Sequence, residues 1–466
     1  MPRAFDLCII GSGSGNTIVD ERFRGMRTAI VDSGRFGGTC LNVGCIPTKM
    51  YVYPADVARA AQRADRLGLS FDPPRVDWPG LRDRIFGRVD AISSDGERGR
   101  RADPDVTVFT GEARFTGPRR LRVGEETITA ERIVIAAGSR PVVPDLPGLS
   151  DVAFHTSDTV MRLDRLPASM LILGGGYVAA EFAHVFSALG AEVTVVNRSA
   201  RLLGHTDLEV SQRFTALLGE RLDVRLSSRI ERIQRIEPVD RDRDTATCGV
   251  LASIGGESPG RVEAEVVLVA TGRVPNGDRF DLAAAGVDVD DDGFVVVDRQ
   301  QRTTADGVFA LGDVCSARML KHVANHEARV VQHNLLHPTA MIESDHRYVP
   351  QAVFSDPQVA SVGLTEQQAR DRGTACVVGR ADYGDTAYGW AMEDERHFVK
   401  VLADPDSGLL LGAHLIGPQA SNLVQPLVQG MSFGIAALDL ARGQYWPHPA
   451  MSEVVENALL DLPFGR

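Results

Sequence analysis

The sequence predicts an α/β protein with two Rossmann-like dinucleotide-binding units, and three observations predict it. A run of strand, glycine-rich turn, helix and second strand opens the chain and recurs from Met170. Two apolar runs, Ile133-Val134-Ile135-Ala136-Ala137-Gly138 and Val267-Leu268-Val269-Ala270-Thr271-Gly272, are near-repeats, each a buried strand ending in a small-residue turn. The length of 466 residues accommodates about three domains of ordinary size.

The first unit begins with Phe5-Asp6-Leu7-Cys8-Ile9-Ile10, which reads as a buried strand of a parallel sheet. Gly11-Ser12-Gly13-Ser14-Gly15-Asn16 follows, a helix is expected from about Ser14, and Thr28–Val31 forms a second strand ending in Asp32. Gly11 allows the tight turn, and Gly13 lets the backbone approach a pyrophosphate. Asp32 is positioned to accept hydrogen bonds from ribose hydroxyls. Asn16 stands where the third glycine of the fingerprint belongs, so looser helix-to-strand packing is expected. A glycine-rich turn between any strand and helix reads the same way, and alone it leaves both readings open.

In the second unit Met170–Leu173 is the strand, Gly174-Gly175-Gly176-Tyr177-Val178-Ala179 the turn, and Glu192–Val196 the next strand. Asn197 occupies the position where an acid selects NAD; Arg198 follows it, with Arg201 close by. Guanidinium groups without a carboxylate favour NADPH over NADH, because they pair with a 2′-phosphate. Both arginines also fit solvated charges in an arginine-rich chain: Lys and Arg total 50, of which only Lys49, Lys321 and Lys400 are lysines. A lysine retained against that bias fits a place where a compact ammonium is needed, and for any one of the three it also fits chance. Further on, Gly307–Asp313 gives another apolar strand ending in an acid, Asp313, suited to a ribityl or ribose hydroxyl or to a helix cap.

Composition narrows the function classes. The chain is 44% hydrophobic and 24% charged with a net charge of −12, which disfavours nucleic acid and anionic membrane as partners. The longest apolar stretch, Met170–Gly190, contains three consecutive glycines, Glu181 and His184, which suits strand, turn and helix better than a membrane span. Met1–Asp6 leads directly into a strand, so no secretory signal is expected. Cys8, Cys248, Cys315 and Cys376 form no spaced framework, and a reducing, cytoplasmic location is expected.

Six motifs occur in order: Gly11–Gly15, Gly37–Lys49, Gly174–Glu181, Ala270–Arg273, Thr304–Asp313 and His448–Glu453. With them the whole chain resembles the FAD-dependent pyridine nucleotide–disulfide oxidoreductases, the group of glutathione reductase and dihydrolipoamide dehydrogenase. The resemblance implies FAD- and NADPH-binding Rossmann-like domains plus an α+β C-terminal dimerisation domain. FAD would be bound by 1–150 and 271–345, NADPH by 151–270, and 346–466 would build a homodimer. It implies FAD contacts from Gly11, Gly13, Gly15, Asp32, Thr39, Gly138 and Asp313. NADPH contacts would come from Gly174, Gly176, Tyr177, Arg198, Arg201 and Gly272, and Glu181 is a further cofactor-binding candidate.

The segment GGTCLNVGCIPTKM, Gly37 to Met50, carries the chemistry. A zinc site needs four ligands, and Cys40 and Cys45 have no second pair at suitable spacing; His322 and His326 have nothing nearby to join them. A structural disulfide closing so short a loop would contribute little. A redox couple fits better. As the resemblance implies it, NADPH reduces FAD and the flavin reduces the Cys40–Cys45 disulfide. Cys45 would be the flavin-side thiol and Cys40 the one that attacks a small-molecule disulfide substrate. Lys49 would pair with Glu181 beside the flavin, and Tyr177 would gate the nicotinamide pocket, its alternative being a core tyrosine. His448 between prolines would exchange the proton of Cys40, with Glu453 orienting the imidazole, and would come from the other subunit.

Dihydrolipoamide dehydrogenase is the nearest rival within the group, and Asn197-Arg198 argues against it. Glutathione reductase fits the NADPH site but matches Tyr383–Asp394 less well. Members that use extra C-terminal cysteines differ from Asp461–Arg466, which has none. A low-turnover redox sensor or scaffold would need no His448–Glu453 pair. Arg59, on the helix after the cysteines, suits either a substrate contact or a solvated surface charge, and the latter is expected.

Overall fold

A computed structural model describes residues 2–236 and 249–464. Met1, Cys248, Gly465 and Arg466, which figured above, lie outside the described residues.

The first sheet is built around Arg3–Ile10, whose inner residues Cys8 and Ile9 are fully buried. It pairs in parallel with Thr28–Asp32 on one side and Glu126–Ile135 on the other. Val106–Thr110 extends the first side, while Val308–Ala310, far along the chain, adds in parallel to Glu126–Ile135. Fully buried Ile133, Val134 and Ile135 explain the unbroken apolar run in the sequence: a parallel sheet is covered on both faces. The second sheet is parallel throughout, in the order Asp223–Arg225, Glu192–Val196, Ser169–Leu173, Val266–Val269 and Phe154–His155. Its three inner strands, too, are nearly all buried.

The helix expected from Ser14 does not form. Two short 3₁₀ turns, Gly15–Ile18 and Glu21–Phe23, take its place. Side chains from elsewhere occupy the carbonyls a helix would use: Arg100 donates to Asn16 O and Val19 O, both at 2.8 Å, and Gln332 to Ile18 O at 2.6 Å. The Asp20 carboxylate then accepts from Arg22 N and starts the second turn afresh. Nor is the packing loose. A Cβ on Gly15 would lie 2.7 Å from Ala136 Cβ and 2.8 Å from Ile9 Cγ2, so Gly15 provides the close approach.

The C-terminal unit is an antiparallel five-stranded sheet in the order Gln351–Val353, Val359–Gly363, Leu410–Ile416, Phe398–Ala403 and Val377–Asp382. Helices Ala420–Phe433 and Glu453–Leu460 pack on it around Leu427, Val454, Ala458 and Leu459, all fully buried. Strand Phe398–Ala403 carries Lys400, buried, whose Nζ lies 2.7 Å from Glu366 and 3.2 Å from Asp207 at the start of helix Leu208–Gly219. This ion pair fastens the C-terminal unit to the second nucleotide unit. Among the described residues no helix is long and apolar enough to cross a membrane.

Candidate active site

The two cysteines flank a break between helices. Cys40 lies in the short helix Gly38–Asn42, and Cys45 opens the 18-residue helix Cys45–Gln62. Gly44 makes the break possible, since a Cβ there would come 2.9 Å from Thr39 O. Buried Asn42 ties the loop down by donating to Phe36 O and Gly38 O, each at 3.0 Å. Gly37 and Gly38 have left-handed φ of 103° and 70°, and a Cβ on Gly38 would stand 2.7 Å from Gly13 Cα. The cysteine loop therefore rests directly on the first glycine turn. Ser12 joins the two: its Oγ accepts from Gly37 N at 2.8 Å and donates to Asp32, and its N–H donates to the same carboxylate oxygen at 2.8 Å.

Both cysteines are free thiols here. The Cys40 thiol donates to Cys45, and this bond, helped by the Lys49 ammonium, lowers Cys45 to about 7 against the cost of burial. Cys40 is raised, because it holds the shared proton and is itself partly buried. Lys49 lies one helical turn past Cys45, and its Nζ is 2.8 Å from both oxygens of buried Glu181. Glu181 Oε1 also accepts from Phe354 N at 3.0 Å, and the ammonium lies 4.6 Å from the Phe354 ring centroid.

Gly11, Gly13, Asp32, Thr39, Cys40, Cys45, Lys49, Gly138, Tyr177, Glu181 and Asp313 all line one cavity of about 840 Å³; Gly15 packs behind it. Gly174, Gly176, Tyr177, Arg198 and Gly272 line an adjoining cavity of about 1650 Å³. Tyr177, first residue of helix Tyr177–Ala188, borders both.

Two glycines test whether these cavities suit dinucleotides. A Cβ on Gly13 would make only ordinary contact, 3.5 Å from Gly38 Cα, and one on Gly176 would meet nothing within 4 Å. Gly176 has φ −86°, open to any residue. Protein packing does not require glycine at either position, whereas a phosphate seated against the backbone does. Asp313 presents its carboxylate to the first cavity, where Ser139 Oγ donates to it at 2.7 Å. These residues fit FAD in the first cavity and a nicotinamide dinucleotide in the second.

Arg201 and Arg59 depart from expectation, and the structure adds detail at Asn197 and His448. Asn197 lines the second cavity, and its Nδ2 donates to Ser199 O at 3.1 Å and Arg201 O at 2.9 Å, so it also shapes the loop. Arg198 is exposed on the cavity wall, but Arg201 is not on that wall, and its Nε is buried without a partner. Arg59 is no solvated charge: its Nε lies 3.1 Å from Asp356, which also receives Arg63 and Arg221. His448 Nδ1 lies 2.7 Å from Glu453 Oε1, on the outer surface with 71% of the imidazole side chain exposed. Neither residue lines either cavity. The imidazole holds Glu453 below its ordinary pKa.

Sequence reasoning passed over Ser12, Ser139 and Lys321. The serines carry no distinguishing signal, whereas Lys321, whose Nζ lies 2.7 Å from Ser14 Oγ, belongs to the three scarce lysines.

Comparison with known proteins accords with this geometry. Residues 5–328 match the family described as "Pyridine nucleotide-disulphide oxidoreductase", and residues 349–459 match the dimerisation domain of the same family. The chain belongs to this family. It is thus a flavoprotein disulfide oxidoreductase that uses FAD and NAD(P)H. It is 52% identical to "Mycothione reductase" of Mycobacterium tuberculosis, over 99% of this chain and 100% of the relative. It is 34% identical to "Dihydrolipoyl dehydrogenase" of Haloferax volcanii, over 97% of this chain and 96% of the relative. Among solved structures, an HOCl-induced flavoprotein disulfide reductase from Escherichia coli superposes with a TM-score of 0.85 at 27% identity, covering 98% and 99% of the two chains.

Proposed function

We propose that the chain reduces mycothione, the disulfide of mycothiol, with electrons from NADPH, as a cytoplasmic homodimer. The substrate assignment is carried by 52% identity over nearly the whole length to a relative named for that reaction. Relatives named for lipoamide or glutathione reach 34% and 31%. NADPH is favoured by Arg198 on the wall of the second cavity and by an amide, Asn197, where a carboxylate would repel a 2′-phosphate. We assign FAD to 1–150 and 271–345, NADPH to 151–270 and the dimer contacts to 346–466. Pairing of Val308–Ala310 with Glu126–Ile135 supports the split FAD unit. Exposed Phe433 and Tyr445, close in sequence to His448, support a dimer surface there.

When bound, FAD supplies the electron pair, drawn from NADPH, that opens the Cys40–Cys45 disulfide to the dithiol. In that dithiol Cys45 is the thiolate and Cys40 holds the shared proton, so Cys40 needs a base before it can attack. His448, supplied by a second copy of the chain and held by Glu453, takes that proton. The Cys40 thiolate attacks one substrate sulfur: a Cys40–sulfur bond forms, the substrate disulfide breaks, and the departing thiolate takes the proton back from His448. Cys45 then attacks Cys40, restores the disulfide and expels the second thiolate, which solvent protonates. Two electrons and two protons thus convert one disulfide into two thiols. Counting released thiols against NADPH oxidised tests this scheme: two mycothiols per NADPH support it, and NADPH loss without thiol release overturns it.

A further inference from the structure

Two of the three lysines are paired with carboxylates: Lys49 with Glu181 at 2.8 Å, and Lys400 with Glu366 at 2.7 Å and Asp207 at 3.2 Å. Lys321 is different. Its Nζ lies 2.7 Å from Ser14 Oγ, and it forms no ion pair with any described carboxylate. Ser14 belongs to the first glycine turn, beside Gly13, whose missing side chain leaves room that packing alone does not require. Lys321 is also the first residue of the 16-residue helix Lys321–Leu336, whose start has no side-chain cap. An unpaired ammonium, uncapped backbone N–H groups and a glycine turn therefore meet at one wall of the FAD cavity. The same cavity is lined by Asp32 and Asp313, which accept from the neutral hydroxyls of Ser12 and Ser139, so a doubly negative group seated in it needs a nearby cation.

We propose that the Lys321 ammonium binds the pyrophosphate of FAD directly, together with Ser14; the inference rests on the assignment of this cavity to FAD. A point-like ammonium suits a phosphate oxygen that Ser14 also reaches, and a planar guanidinium fork would fit the narrow turn less well. This need accounts for a lysine in a chain that otherwise uses arginine. Lys321 also pulls the Cys40 thiol toward its thiolate, but more weakly than the bond to Cys45 pushes the other way. The hydrogen bond goes to Ser14, away from the sulfur.

The test strips FAD from the full-length wild-type protein, Lys321→Met and Lys321→Gln, then titrates each with FAD by quenching of flavin fluorescence. ADP and adenosine serve as competitors. The proposal expects both variants to bind FAD and ADP at least about tenfold more weakly at low salt, with a flatter salt dependence. Adenosine, which has no phosphate, should bind them as it binds wild type. FAD affinity within twofold of wild type in either variant overturns the proposal, as does equal weakening of ADP and adenosine, which would mark a purely structural role. Failure of the wild-type protein itself to bind FAD would instead overturn the assignment of the cavity.

Discussion

Lys49 Nζ sits 2.8 Å from each oxygen of Glu181, joining the helix that begins at Cys45 to the helix that begins at Tyr177. One residue pair thus links the thiol centre to the wall of the second cavity. Glu181→Ala removes the acceptor of both the ammonium and Phe354 N. The expected cost is about 2–4 kcal/mol of stability, with slower reduction of the cysteines by NADPH. Thermal melting and stopped-flow flavin absorbance check this; a variant that matches wild type in both would sever the pair from the mechanism.

Lowering of Cys45 to about 7 sets a pH dependence for the reduced protein. The folded value is depressed, so the thiolate stabilises the fold fully above the ordinary thiol range. That contribution is lost as pH falls through about 7. The pH profile of Cys45 alkylation, mapped by mass spectrometry on reduced protein, should have its midpoint near 7 and move upward in Lys49→Met. A midpoint at the ordinary thiol value in wild type would contradict the assignment of Cys45 as the thiolate.

His448→Ala should lower kcat for disulfide reduction by about 10²–10⁴-fold while FAD content and reduction of the cysteines by NADPH stay at wild-type levels. Unchanged turnover would remove His448 from the mechanism.

Gly176→Ala separates ligand space from protein space. A Cβ there meets no protein atom within 4 Å and its backbone suits alanine, so stability should hold or rise slightly. NADPH affinity should nevertheless fall at least about tenfold if the pyrophosphate lies against the backbone. Isothermal titration with NADPH checks it, and undiminished affinity would reject this seat for the dinucleotide.

Arg198→Ala should raise the KM for NADPH by about 10–100-fold and leave that for NADH unchanged. Arg201→Ala should not discriminate between the two, because Arg201 does not line the cavity. A larger loss of NADPH selectivity in Arg201→Ala than in Arg198→Ala would reverse the assignment.

The sequence made the parallel strands legible, since a strand covered on both faces leaves an unbroken apolar run such as Ile133-Val134-Ile135. It also made the glycine turns legible, because Gly11 and Gly174 have φ of 104° and 123°, which other residues rarely adopt. The missing helix after Ser14 was not legible. Its carbonyls are taken by Arg100 and Gln332, residues remote in the chain, and local propensity carries no record of such partners. The site shows the same division. Cys40, Cys45 and Lys49 share one continuous segment, whereas the burial of Arg59 against Asp356 depends on a contact made 297 residues away. Lys321 left a compositional trace, but its partner Ser14 could be found only in three dimensions.

The most direct test is steady-state oxidation of NADPH, then of NADH, with mycothione, glutathione disulfide and lipoamide supplied in turn to the purified holoenzyme. Rapid turnover with NADPH and mycothione, and little with the other two, is the predicted result. Preferential reduction of glutathione disulfide or lipoamide, or preference for NADH, would contradict it.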